Sequence, residues 1–322
     1  MTTPVTAPPD PSAADATGAG PRLLRGLAIA AEVRQTVAAD VAAFVAAEGW
    51  TPELAIVIVG KDAPSTVYLH KILDACRTVG IRDRLVELPA DATAATLSDQ
   101  LLALSNDRHV AGIIVQQPLP AAIPLRAVID SLDPARDIDG IHPLNAGLLA
   151  LGYEGFLPAT AHAAVELLKR SDIPLAGQRA VVVGRSNVVG KPAALLLVRE
   201  DCTVTVCHSR TPDLAAELRT ADIVVVAVGR PGLITGDMLK PGAVVVDVGI
   251  NVVDGHLVGD VDFASASAVA SAIAPVPGGV GPLTNAILLT HLMRAARNLA
   301  EGRLDAGTRS LHRAPSALGP GG

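Results

Sequence analysis

The chain has 322 residues, half of them apolar but only 2% aromatic, and a formal net charge of −6. That length suits two compact domains, whose cores must be packed mainly by small aliphatic side chains. The negative charge argues against nucleic acid or an anionic membrane as the main partner, and no apolar run reaches the ~18 to 20 residues that span a bilayer.

Residues 1–21 are rich in Pro, Ala, Thr and Gly and lack the basic and apolar regions of a signal peptide, so they read as a disordered extension of a cytoplasmic protein. Periodicity then predicts a helix over Leu24–Ala47, ended by Gly49, and a strand over Leu54–Val59 that stops at Gly60. A helix over Ser65–Val79 closes at Gly80, and a strand follows over Ile81–Leu88. Thr96–Leu104 reads as a helix, and Gly112–Val115 as a strand running into Gln116, Gln117 and Pro118. Strand and helix patterns alternate, which implies a parallel sheet.

A second unit begins near residue 150. Ala180–Val183 is a short apolar strand that turns through Gly184, Arg185 and Ser186 into a helix opening at Gly190. Such a turn aims free N–H groups and a helix dipole at one point, a seat for a phosphate. The match to G-x-G-x-x-G is loose, because Ser186 stands for the second glycine and Gly190 falls one place late. The next strand, Thr203–Cys207, ends in His208, Ser209, Arg210 and Thr211 with no Asp or Glu. Two arginines, Arg185 and Arg210, without a carboxylate suit the 2′-phosphate of NADP better than the free ribose of NAD. Two further apolar strands, Asp222–Val228 and Ala243–Val248, each stop at a glycine. Ala286–Leu299 reads as a helix crossing back to the first unit, and the residues beyond Glu301 as a disordered tail.

The cleft between the two sheets is the expected site. Ser65, Tyr68 and Lys71 reach it from one helix, Gln116 from a strand end, and Asp137 and Asp139 from the loop DPARDIDGIHP. The loop Pro275–Thr284 adds fixed backbone geometry through its prolines and glycines, Pro277, Gly278 and Gly279 among them. Taken singly, Tyr68 reads as a core residue, Lys71 as a solvated one, and the two aspartates as turn-formers. Cys76, Cys202 and Cys207 have no metal-like spacing and fit reduced thiols, so no metal is expected.

Together, VGKDAPSTVYLHKILDACRTVGI, GIIVQQPLP, RDIDGIHPLNAG, VVVGRSNVVGKPAALLL, VVVDVGIN, VGDVDF and PVPGGVGPLT resemble the methylenetetrahydrofolate dehydrogenase/cyclohydrolase family in order and spacing, from about Leu24 to Leu299. The resemblance implies a two-domain α/β protein, usually a homodimer, with folate held in a cleft against NADP. The substrate domain would be 22–149 plus 285–301, and a Rossmann-like NADP domain 150–284. Family members oxidise 5,10-methylenetetrahydrofolate to the methenyl form and hydrolyse that to 10-formyltetrahydrofolate. Carried over by position, Tyr68 would stack on the aminobenzoate ring, Asp139 would hold the pterin edge, and Gln116 would orient the catalytic group. Pro277, Gly278 and Gly279 would border the substrate, and Gly184, Arg185, Ser186, Gly190, Ser209, Arg210 and Ile250 the NADP.

One position departs from the family. Its catalytic lysine stands four residues after the tyrosine, where this chain has Ile72, with Lys71 one place earlier. PCTP becomes PATA at Pro158–Ala161, keeping Thr160, and DGK becomes RGL at Arg25–Leu27. Hydride transfer depends mostly on positioning, whereas hydrolysis needs proton movement. The resemblance therefore implies an NADP-dependent dehydrogenase with weak or absent cyclohydrolase. Two alternatives stand beside it: an ordinary bifunctional enzyme using Lys71, and a folate-binding paralogue that serves another one-carbon acceptor or only senses its ligand.

Overall fold

The computed structural model describes residues 20–60 and 63–302, without the side chains of residues 63–68. The expected extension over 1–21 and tail over 302–322 lie outside it, apart from Gly20, Pro21 and Gly302. A two-residue strand, β1 (Arg22–Leu23), precedes α1 (Gly26–Glu48), β2 (Glu53–Val59), α2 (Ala63–Val79), β3 (Arg82–Leu88), α3 (Ala94–Asn106) and β4 (Val110–Val115). Strands β2 to β4 form a parallel sheet of order β3-β2-β4. Residues Leu54–Val57 of β2 and all of β4 are buried, while the edge strand β3 carries four charged residues and buries none of its seven side chains fully. Gly49 ends α1 in the left-handed conformation, φ 72°, with its N–H on the Val45 carbonyl. Thr93 caps α3 through the Thr96 amide at 3.1 Å, which starts that helix two residues before the expected Thr96.

Three helices follow that periodicity did not mark: α4 (Leu125–Ile129), α5 (Pro143–Ala150) and α6 (Ala159–Arg170). The second unit then runs β5 (Arg179–Val183), α7 (Gly190–Arg199), β6 (Thr203–Cys207), α8 (Leu214–Leu218), β7 (Ile223–Val226), β8 (Val244–Asp247), a hairpin of β9 (Asn251–Val253) and β10 (His256–Val258), α9 (Phe263–Ser267), β11 (Ala272–Ala274) and α10 (Val280–Ala300). Its parallel sheet has the order β1-β11-β8-β7-β5-β6. Rows of valine cross it, with Val181 beside Val224 and Val224 beside Val245. The chain steps outward from β5 to β6 and then back across β5 to β7. That reversal is where doubly wound sheets open a ligand crevice.

The strand expected over Asp222–Val228 is shorter at both ends, Ile223–Val226, and just before it the Asp222 carboxylate accepts from the Arg179 amide and the Lys240 ammonium. Helix α10 begins at Val280, six positions before Ala286, and absorbs half of the segment expected as a loop over Pro275–Thr284. Pro282 lies in its first turn, where a missing N–H costs nothing. α10 crosses back onto the first unit: Gly112 of β4 has no room for a Cβ beside the side chains of Leu292 and Ile138. No helix among the described residues is long and apolar enough to cross a membrane.

Candidate active site

At the crevice, β5 leaves the sheet through Gly184. Its φ of 124° excludes ordinary side chains, and a Cβ there would strike the carbonyl of Ala227, just past β7. A Cβ on Gly190 would strike the Gly184 carbonyl and come within 2.9 Å of the Arg185 amide. The two glycines thus leave a cradle of bare backbone at the N-terminus of α7. Ser186 braces it: Oγ accepts from the Val189 and Gly190 amides at 3.1 and 3.3 Å. Beside it, the Gly184 amide donates to the Cys207 carbonyl at 2.9 Å, which sets the ends of β5 and β6 side by side. The β6 turn is held by Nδ1 of His208, which accepts from the Arg210 amide at 3.1 Å. Arg185, Ser186, Ser209, Arg210 and Ile250 are exposed. The nearest acid after this strand, Asp213, is committed to the Ala216 amide as the cap of α8. These residues fit a dinucleotide whose ribose carries a further phosphate.

Two buried aspartates that carried no role in the sequence reading brace this side. Asp260 accepts from the amides of Val228, Gly229 and Arg230 at 2.6, 2.8 and 2.8 Å, and from Nδ2 of Asn251 at 2.9 Å. Asp247 accepts from the amides of Gly249, Asp260 and Val261 at 2.9, 3.0 and 2.9 Å. Burial pushes the Asp247 carboxyl up to about 6, against the pull of those amides. The sequence offers only a glycine near each acid, Gly249 two places after Asp247 and Gly259 just before Asp260; in the fold a Cβ on Gly259 would strike Asp247, and one on Gly249 would strike Asp260.

On the substrate side, Asp137 bridges Ile113 of β4 in parallel, and the Ile113 amide donates to the Arg136 carbonyl at 2.8 Å. The loop therefore runs beside β4 toward the edge where Gln116 leaves the strand. Half-buried Gln116 donates from Nε2 to the Gln117 carbonyl at 2.9 Å. Asp137 is a structural group here. Its carboxylate accepts from the amides of Ile141 and His142 and from Asn145 Nδ2, at 3.1, 2.8 and 2.9 Å. Burial still raises its carboxyl above the usual range.

Asp139 differs. It is half-buried, and among the described residues its carboxylate accepts no hydrogen bond. Burial of the carboxyl and then the neighbouring Asp137 charge push it up to about 7. Its backbone is fixed against the start of α6: the Ala159 amide donates to the Asp139 carbonyl at 3.3 Å, and a Cβ on Gly140 would strike Leu157 and Pro158.

The side chains of Ser65 and Tyr68 lie outside the described residues. Further along α2, Ile72 is 1% exposed and belongs to the buried stripe with Leu69, Leu73, Cys76 and Val79. Lys71 is exposed. Pro277 is exposed, Gly278 half-buried and Gly279 buried. The start of α1 packs on this turn: the Gly26 amide donates to the Gly278 carbonyl at 3.0 Å. A groove of about 720 Å³, lined by Trp50, His109 and Arg136 among others, lies at the opposite, N-terminal ends of β2 and β4 and contains none of the expected site residues.

Comparison with known proteins covers both units. The tetrahydrofolate dehydrogenase/cyclohydrolase catalytic domain matches residues 24–139, and the NAD(P)-binding domain of the same family matches 158–300. The bifunctional protein FolD of Roseiflexus sp. (strain RS-1) is 52% identical over 282 residues, 87% of this chain and 98% of that protein. The bifunctional FolD methylenetetrahydrofolate dehydrogenase/cyclohydrolase from Campylobacter jejuni has a similar structure, with a TM-score of 0.83, 41% identity and coverage of 86% of this chain and 98% of that one. The methylenetetrahydrofolate dehydrogenase-cyclohydrolase of Trypanosoma brucei, solved with NADP cofactor and inhibitor, gives a TM-score of 0.83 at 38% identity, covering 87% and 98%.

Proposed function

This chain belongs to the tetrahydrofolate dehydrogenase/cyclohydrolase family, and on that premise we propose that it oxidises 5,10-methylenetetrahydrofolate to the methenyl form with NADP, with weak or absent cyclohydrolase activity. The single observation that carries the second half is Ile72: an apolar side chain, 1% exposed, stands where the family places its lysine. It can neither hold a charge nor move a proton beside Gln116. Lys71, the nearest ammonium along the helix, is on an exposed face. A second reading, a bifunctional enzyme in which Lys71 serves instead, is favoured by the bifunctional activity named for the relatives at 52% and 41% identity.

In this proposal Gly184 and Gly190 admit the dinucleotide's phosphates close to backbone, and Ser209 and Arg210 take the 2′-phosphate. NADP, when bound, supplies the hydride acceptor. Tyr68, Gln116 and Asp139 orient the folate, with the Pro277–Gly279 turn bordering it, so that its bridging methylene can lose a hydride. That chemistry asks the protein for placement and exclusion of water. Hydrolysis of the methenyl cation asks in addition for a proton carrier.

The same reading divides the chain into a substrate unit, 22–149 with 285–301, and a nucleotide unit, 150–284, although the two residues of β1 pair in the larger sheet. It makes the protein a cytoplasmic homodimer. Edge strand β6, with Val206 40% exposed, offers a pairing surface, and three buried free cysteines suit a reducing compartment. The test is a paired assay on the purified protein: NADP reduction with methylenetetrahydrofolate, and methenyltetrahydrofolate decay corrected for its spontaneous rate. NADP reduction without enzymatic decay supports the proposal. Fast decay lost in Lys71→Ala establishes the second reading, and no NADP reduction rejects both.

A further inference from the structure

Behind the Asp139 loop, two histidines from different helices meet in the core. His291 of α10 is 4% exposed, and its Nδ1 lies 2.8 Å from the Ile138 carbonyl, one residue before Asp139. Its Nε2 lies 3.2 Å from Nδ1 of His162, on α6, and the two rings are within 16° of parallel. A carbonyl only accepts, so Nδ1 of His291 carries the hydrogen. Burial, with the Arg294 charge beside it, pushes the His291 imidazole down to about 3, so the ring is neutral and its Nε2 is a bare acceptor. His162 must then donate from its own Nδ1. The direction of both bonds is fixed: His162 to His291, and His291 to Ile138.

The surroundings leave the pair little freedom. Arg294, one turn further along α10, lies 4.1 Å above the Phe156 ring and donates to the Gly155 carbonyl at 2.6 Å. The Phe156 ring in turn lies 5.7 Å from that of His291. Ile138 and Leu292 both crowd the bare Cα of Gly112. Asp139 is thus held from its C-terminal side by Ala159 and Gly140, and from its N-terminal side by Ile138, whose carbonyl has one described side-chain donor, His291.

We propose that His162 and His291 form a directional hydrogen-bond relay that sets the height of the Ile138 carbonyl, making His291 a positioning residue that aims the Asp139 carboxyl at the folate substrate. The inference rests on the reading of Asp139 as the group that holds the pterin edge. His162 closes the relay from α6, so the helix whose first residue donates to the Asp139 carbonyl also fixes the ring behind it.

The experiment compares three variants of the full chain and reads the ring nitrogens of the wild type. Nitrogen-15 NMR of His291 should show the neutral Nδ1–H form from pH 6 to 8; an Nε2–H ring or a cation overturns the relay. His291→Leu should raise KM for 5,10-methylenetetrahydrofolate ~10-fold, the scale of one buried hydrogen bond, with kcat and the KM for NADP changed less than about twofold. His291→Asn, whose amide can place a donor where Nδ1 stood, should return most of that loss. It keeps the idea testable should the leucine variant fail to fold. Equal damage in His291→Asn and His291→Leu, or none in either, while Asp139→Ala still weakens folate binding, overturns the relay and leaves the Asp139 reading intact. An Asp139→Ala enzyme with unchanged substrate KM removes the role of Asp139, and this inference with it.

Discussion

On the nucleotide side, Asp260 accepts four hydrogen bonds from protein donors and Asp247 three, whereas on the substrate side the Asp139 carboxylate accepts none from the described residues. The first two carboxylates spend their acceptor capacity on holding loops, so the loops after β7 and β8 are formed before any ligand arrives. Asp139 has a fixed backbone and an unspent side chain, which is the state expected of a group that waits for donors on a ligand. In the proposed reading the two halves also differ in how far they depart from the family pattern: Ile72 stands at the position of the lysine on the substrate side, while the small residues of the β5–α7 turn keep to the pattern.

The largest expected effect would break the braced side. Asp260→Ala leaves the amides of Val228, Gly229 and Arg230 without their acceptor in a group that is fully buried. Losing such a network costs about 3–5 kcal/mol. Urea denaturation should show that loss, with NADP affinity falling as the loops relax. A variant within ~1 kcal/mol of wild type would show that the loops are held by other means.

The second effect would sharpen the comparison by restoring a charge to the other side. Ile72→Lys should raise methenyltetrahydrofolate hydrolysis ~10²-fold or more, the scale of a positioned acid or base, with NADP-linked oxidation little changed. The new lysine must thread its stem out of a site that is 1% exposed. The variant should therefore also melt lower, since an ammonium in an apolar stripe is costly unless it reaches the cleft. Lys71→Ala should leave both reactions unchanged. A smaller effect concerns cofactor choice. Arg210→Ala should cut the preference for NADP over NAD by roughly tenfold or more, the scale of a charge-assisted phosphate contact, measured by calorimetry with both cofactors. Equal binding of NAD and NADP by the wild type would defeat this assignment.

Much of this architecture was legible because buried parallel strands are written as unbroken apolar runs. Ala180–Val183 is such a run and lies within β5, the alternating edge strand Thr203–Cys207 has the bounds that periodicity predicts, and the β5–α7 turn is where its glycines put it. What escaped has a common physical character. Helix α6 is hidden in ATAHAAVELLKR, whose first two turns bury alanines too small to write an apolar stripe, and α4 is too short for a period to register. The segment Pro275–Thr284 reads as one loop by its glycines and prolines, yet Gly281 and Pro282 sit in a helical first turn. The Asp260 brace and the His162–His291 pair are contacts between distant parts of the chain, and spacing along a sequence carries no record of them. Ile72 stands out in the sequence only through the resemblance; that its side chain lies in the core needed the fold.

The smallest effect tests whether the Asp139 carboxyl is as unspent as its geometry indicates. Its folded value of about 7 stands above the ~3.9 of a free aspartate. Between those two values the folded protein keeps a proton that the unfolded chain has released, so stability is fully present below the lower value and is lost as pH rises toward and through the upper one. Asp139→Asn has no such proton to lose. The melting temperature of the variant minus that of wild type should therefore climb from pH 5 to pH 7 and level off near pH 8. The climb should be ~2 °C, about 1 kcal/mol in a chain of this length, because water reaching the half-buried carboxyl screens most of the roughly 2.7 kcal/mol that two pH units between those values would give in full. Asp247 and Asp137, also raised by burial, titrate in both proteins and largely cancel in the difference. Saturating folate should flatten the climb, because donors on the ligand favour the charged carboxylate and pull its value down. A difference that stays flat without folate would mean that the carboxyl is already charged at neutral pH, and so already paired.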